Sequence, residues 1–164
     1  MSELIVAGYE DVHTAFLASA ALARMQKEFA MNRHDMAVVA LEEGGEVSVR
    51  EAVTVTEGEA LHKTFWKTLA GLLFSNPSLD DAKEADVSIA RLSAMGLDDR
   101  FIAGVADKVK PGTAAVLVVA NEPATRDRVI GILRGFSGRI TRARLTCEDS
   151  KQCLGKLLGQ EPEN

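Results

Sequence analysis

Apolar residues along this chain fall into two kinds of run: short continuous ones, and longer ones spaced by three and four. Leu4-Ile5-Val6-Ala7 ends at Gly8, and Thr113–Val119 is apolar on both faces, the pattern of a strand buried from two sides. Asp35–Leu41 and Glu46–Val55 are rich in strand-forming residues. Between them lies Glu42-Glu43-Gly44-Gly45, a short polar spacer with two glycines that signals a hairpin. Arg139–Thr146 alternates imperfectly and carries three arginines, which suits an edge strand.

The longer runs predict helices. In Asp11–Phe29 the residues Ala15, Ala18, Leu22, Met25 and Phe29 form one stripe. In Glu57–Ser75 the residues Leu61, Phe65, Leu69 and Leu72 recur at helical spacing until Asn76-Pro77 breaks the pattern. Ser78 resembles an N-cap, and Leu79, Ala82, Ala85, Ile89 and Leu92 line the next face up to Gly96. Asp98 can cap a further helix carrying Ile102, Val105, Ala106 and Val109, which Lys110-Pro111-Gly112 stops. Pro123 or Thr125 opens another, through Val129, Ile132, Leu133 and Phe136, closed near Gly138. A weaker helical pattern runs from Glu148 to Leu158.

This order predicts a single domain over residues 1–164. Residues 1–56 and 97–147 form a sheet-and-helix core, 57–96 a helical insertion, and 148–164 a C-terminal helix and tail. Right-handed crossovers, with their helices on one sheet face, lead to an α/β (α+β) fold, a ferredoxin-like sandwich. It places two βαβ units on one mixed, mainly antiparallel sheet. The first strand and the Thr113–Val119 strand are central, and Glu46–Val55 extends one edge. Thr113–Val119 shows Ala115, Leu117 and Val119 on one side and Ala114, Val116 and Val118 on the other. The two crossover helices cover only one of these sides. Residues 57–96, from this chain or a partner, are expected to cover the second.

Several stretches stand out together by their order and spacing along the chain. They are Glu3-Leu4-Ile5-Val6-Ala7-Gly8-Tyr9, Leu22-Ala23-Arg24-Met25-Gln26-Lys27-Glu28 and Phe65-Trp66 with Gly71-Leu72-Leu73-Phe74-Ser75-Asn76-Pro77. Gly96-Leu97-Asp98-Asp99-Arg100-Phe101-Ile102 and Lys110-Pro111-Gly112-Thr113-Ala114-Ala115 follow in order. In that order they resemble a bacterial family of predicted membrane proteins, the domain of unknown function 1269. The family has no established chemistry, so the resemblance implies no mechanism. After the Asn-Pro turn such proteins carry a glycine- and alanine-rich segment suited to tight helix packing in a membrane. Here the place reads Ser78-Leu79-Asp80-Asp81-Ala82-Lys83-Glu84-Ala85-Asp86. That density of charge is too costly in lipid, so no integral membrane insertion is expected.

Composition narrows the picture further. With 164 residues, 46% apolar and 26% charged, the chain has ordinary globular usage. A net charge of −5 gives nucleic acid no general attraction. No signal peptide is visible, and two cysteines imply no disulfide framework, so a cytoplasmic location is expected.

Candidate chemistry is sparse. His13, His34 and His62 lie in different elements, and Cys147-x5-Cys153 fits no zinc or redox signature. Asp80-Asp81 and Asp98-Asp99 sit at helix starts, where the helix dipole accounts for them. Gly131–Gly135 has helical flanks rather than those of a phosphate loop. No catalytic, cofactor-binding or metal site is expected, and no bound metal or nucleotide. Arg126–Arg144 holds six arginines and one acid, a net +5 against −10 for the remainder. Arg142 and Arg144, side by side on one strand face, are a possible anion contact. An RNA-reading sheet needs exposed aromatics, and only Tyr9 is available on these strands. A solvated edge, or pairing with the acidic Glu42–Glu59 region of this or a neighbouring subunit, is the alternative.

Phe65, Trp66, Leu69, Leu72, Leu73 and Phe74 give an apolar arc wider than packing on a small sheet needs. They are assigned as a self-association or sheet-covering surface. The reading is a non-enzymatic, self-associating domain, a homodimer or higher homo-oligomer. The alternatives are a small-ligand-binding or regulatory ferredoxin-like module and a peripheral membrane-associated protein.

Overall fold

The computed structural model describes residues 3–29, 36–44, 46–51, 66–67, 69–71, 73–74, 92–120 and 123–146. Strands β1 (Glu3–Tyr9), β2 (Met36–Leu41), β3 (Val47–Glu51), β4 (Ala114–Ala120) and β5 (Arg139–Arg144) form one sheet, ordered β3-β2-β4-β1-β5. Helix α1 (Val12–Phe29) links β1 to β2, α2 (Asp99–Lys108) precedes β4, and α3 (Pro123–Gly135) links β4 to β5. The fold is mixed α+β.

Every pairing is antiparallel. β1 and β2 run the same way but are held apart by β4, and β4 and β5 are held apart by β1. Each crossover helix therefore returns the chain two strand positions away and leaves a slot that an antiparallel strand fills. β4 takes the centre with β1 beside it. β3 and β5 form the two edges, the positions their shorter and more polar sequences suit.

All seven residues of β1 and of β4 are buried, because both sheet faces are covered. Ile5, Ala7, Val116 and Val118 pack under Ala15, Ala18 and Leu22 of α1 and Val129 and Leu133 of α3. On the opposite face, Leu4, Val6, Ala115, Leu117 and Val119 meet Phe101, Val105 and Val109 at α2. The same cluster takes in Trp66, Leu69, Ala70, Leu73 and Phe74, which are helical, and Leu92, Met95 and Leu97.

Local chemistry sets the helix ends. The Asp98 carboxylate accepts the Phe101 N–H at 2.8 Å and caps α2. Pro123 opens α3, where a missing N–H costs nothing. Residues 92–94 close through Gly96, whose φ of +96° suits glycine; its N–H reaches the Ser93 carbonyl while the Leu97 N–H reaches the Leu92 carbonyl.

Two expectations shift. The buried stripe of α2 is Phe101 and Val105, continued by Val109, and Ala106 is exposed where the spacing had placed it inward. Ile102 sits at the rim of that cluster. The Asp98 cap sets the helix phase so that the bulkier Phe101 takes the core-facing position. The 78–91 part of the predicted insertion, residues 52–55 of the second hairpin strand, and the C-terminal helix lie outside the described residues.

Candidate functional site

Two places collect polar side chains: the β5 edge, and the end of the sheet beside the β2–β3 hairpin. At the first, Glu3 begins a strand that is otherwise apolar, and only 8% of it is exposed. A carboxylate this buried needs a charged partner. It finds two, since Arg142 Nε donates to Glu3 Oε1 at 2.6 Å and Arg126 Nη1 to Oε2 at 3.4 Å. The β1–β5 register sets Ile5 opposite Arg142 and Glu3 opposite Arg144, so both arginines lie on the face that α3 covers. The carboxylate raises the Arg142 pKa by hydrogen bonding and fixes that guanidinium in place.

The sequence pattern picks out Arg142 and Arg144 but not Glu3. A lone acid opening a buried strand was the available signal. Its partner lies 139 residues away, so the pairing follows only from the strand register. All three arginines of β5 are exposed, and Arg142 is the one held by Glu3 of its own chain.

Tyr9 is 2% exposed, and its hydroxyl donates to the Leu133 carbonyl at 2.8 Å. The same carbonyl accepts the Gly138 N–H at 3.0 Å, closing α3 through Ser137 at φ +65°. The one aromatic on these strands available for base stacking is therefore inside. Burial raises its pKa above the ordinary phenol value of about 10. The folded chain favours the neutral phenol, so this stabilisation is complete below about pH 10 and is lost as the pH rises beyond it. Tyr9 is the single tyrosine, so tyrosinate absorbance reports on it alone. Alkaline titration is expected to show no ionisation near pH 10 while the fold persists. Ionisation there with unchanged circular dichroism would show a solvent-exposed phenol.

The second place is an open cleft of about 600 Å³ lined by Asp11, Glu42, Glu43, Arg50, Gly112 and Thr113 among others. Asp11 caps α1 by accepting the Thr14 N–H at 2.7 Å, which holds its carboxyl below the usual carboxylate range. Arg50 and Glu42 pair at 2.9 Å with both side chains half exposed, a contact worth at most about 1 kcal/mol. Among the described residues no group of three or more His, Cys, Asp or Glu could hold a metal ion.

The arc assigned to self-association or sheet covering is buried in the chain's own core at Trp66, Leu69, Leu73 and Phe74. Phe65 and Leu72 lie outside the described residues, as do His34, His62, Cys147, Cys153 and Asp80-Asp81. His13 is exposed on α1, Asp99 lies in the first turn of α2, and Gly131 and Gly135 lie in α3.

Residues 60–158 match the family model described as "Protein of unknown function (DUF1269)". The chain belongs to that family. No curated protein and no solved structure matches it. Among the described residues no helix is long and apolar enough to cross a membrane. The charged Ser78–Asp86 segment lies outside them.

Proposed function

We propose that this is a non-enzymatic, ferredoxin-like domain of the cytoplasm that acts by self-association, through the edges of its sheet. The strand order β5-β1-β4-β2, with β3 added, supports the ferredoxin-like reading. Both sheet faces are covered by helical residues of the same chain, and Tyr9 and Glu3 are held in structural bonds. Among the described residues, the edges and ends of the sheet stay exposed, as do the outer faces of the helices. The observation that carries the reading is the exposed, arginine-bearing β5 edge, opposite an edge flanked by acids. This moves the contact from the Trp66 arc, where the spacing pattern put it, to the strands.

Light scattering coupled to size exclusion tests the proposal. Mass above that of one chain, rising with concentration and falling between 50 mM and 500 mM salt, is expected of an edge contact between exposed charges. A single-chain mass at every concentration would overturn it. The second reading, small-ligand binding, rests on the cleft beside Asp11 and Glu43 and is checked by native mass spectrometry of freshly purified protein.

A further inference from the structure

Arg126, Arg142 and Arg144 gather around one buried carboxylate. Glu3 and Ile5 lie on the same side of β1, and Ile5 packs there with Val129 and Leu133 of α3. Their register partners on β5 are Arg144 and Arg142, so these two side chains share that side. Arg126 comes from the first turn of α3, which covers the same face.

Glu3 holds the group together. Its side chain is 10% exposed and accepts from Arg142 Nε and Arg126 Nη1, which fixes beside each other two guanidiniums that would otherwise repel. Arg142 uses its Nε on Glu3, and Arg126 uses one N–H on Glu3 and another on Asp127. A guanidinium has more N–H groups than these bonds consume. Arg144, directly across from Glu3, forms no ion pair with a described residue. The side chains of Arg126 and Arg142 are 30% and 42% exposed, and Arg144 is exposed as well. Beyond β5 the chain turns to the other face. Leu145 is buried in the cluster of Trp66 and Leu97, and the Thr146 N–H is bonded to the Met95 carbonyl.

Charge decides what this cluster fits. The arginines contribute +3 and Glu3 −1, leaving +2. Asp127 is 71% exposed, and its 3.2 Å contact with Arg126 is a weak surface pair that a stronger anion displaces. The whole chain carries −5, which repels a long polyanion more than one compact dianion. Tyr9 is buried and offers a nucleobase no stacking surface. A phosphate monoester group carries about −1.5 to −2 at neutral pH and presents several acceptor oxygens to arginine forks. We propose that Arg126, Arg142 and Arg144 form a binding site for a phosphate monoester group, with Glu3 as the residue that positions it. The site goes beyond the self-association reading and is measured on dilute protein.

Titration with inorganic phosphate at neutral pH, against sodium chloride of equal ionic strength, tests the site by the arginine Nε–Hε resonances. A saturable shift of Arg126 and Arg142 with phosphate, and none with chloride, is expected. Arg144→Gln leaves the bonds to Glu3 in place and is expected to weaken phosphate binding about tenfold, the loss of one charge-assisted contact. Arg144→Lys keeps the charge without the fork and recovers part of that loss. Arg139→Gln removes an equal charge from the other side of β5, the side of Thr141 beside Gly104 and of Ala143, and is expected to change binding less than about twofold. Circular dichroism and a denaturant midpoint matching wild type keep lost binding distinct from unfolding. Vesicles containing phosphatidic acid, whose headgroup is a phosphate monoester, identify the source. Pelleting with them that Arg144→Gln abolishes would place the group on a lipid, and phosphate binding without pelleting would place it on a soluble ligand; either supports the site. Binding to neither phosphate nor these vesicles would overturn it. Equal weakening by Arg139→Gln and Arg144→Gln would also overturn it, by reducing the site to diffuse charge.

Discussion

Replacing Trp66 and Leu69 together with asparagine is expected to unfold the domain rather than to separate folded subunits. Trp66 is 1% exposed and Leu69 wholly buried, and both lie against the sheet face built by Leu4, Val6, Leu117 and Val119. Truncating a buried tryptophan costs about 3–5 kcal/mol and a buried leucine about 2–5 kcal/mol. An amide left buried without a partner adds about 1–3 kcal/mol. The combined loss matches the whole stability of an ordinary domain, about 5–15 kcal/mol. Loss of the cooperative thermal transition, with gain of dye-binding apolar surface, is the expected observation. A variant that keeps its melting temperature and only loses mass in solution would show that another subunit, not this chain, provides the anchor.

The second large effect falls at Gly96. Its φ of +96° is a conformation that L side chains rarely adopt, and forcing one there costs about 1–3 kcal/mol. Space compounds the strain, because a Cβ would lie 2.6 Å from the Arg144 carbonyl oxygen and 3.1 Å from Thr146 Cγ2. Those atoms cannot easily retreat. The Thr146 N–H is bonded to the Met95 carbonyl at 2.8 Å, and its hydroxyl to the Ala94 carbonyl at 2.7 Å. This docking ties the turn after residues 92–94 to the end of β5. Gly96→Ala is therefore expected to cost roughly 2–4 kcal/mol, read as a lowered urea midpoint at unchanged slope. Gly131→Ala provides the opposite sign, because a Cβ within α3 meets nothing there and alanine favours the helix by about 0.5–1 kcal/mol. Equal midpoints for the two variants would refute this account of the turn.

Much of this architecture was legible because burial leaves a direct mark on sequence. β4 reads as apolar on both faces only because helices lie on both, and that pattern alone called for residues 57–96 to cover the second face. The hairpin spacer, the Asp98 cap and the Lys110-Pro111-Gly112 stop are local signals, set by residues within a few positions of one another. What was not legible depends on distant pairing. The partner of Glu3 is Arg142, and the Tyr9 hydroxyl finds a carbonyl 124 residues on. Neither follows from spacing, because strand register decides the first and the packing of α3 on the sheet decides the second. The phase of α2 was missed more narrowly, since Ile102 and Phe101 are both apolar and a shift of one residue turns the stripe by about 100°.

The central claim is that the chain closes both faces of its own sheet and meets other molecules at the edges. Hydrogen exchange measured by mass spectrometry tests it most directly, comparing concentrated low-salt protein with dilute high-salt protein. The peptide covering residues 66–74 is expected to be equally protected in both, while amides of Val47–Glu51 and Arg139–Arg144 gain protection only in the concentrated sample. Loss of protection at residues 66–74 on dilution, with the two edge strands unchanged, would contradict it and return the interface to the Trp66 helix.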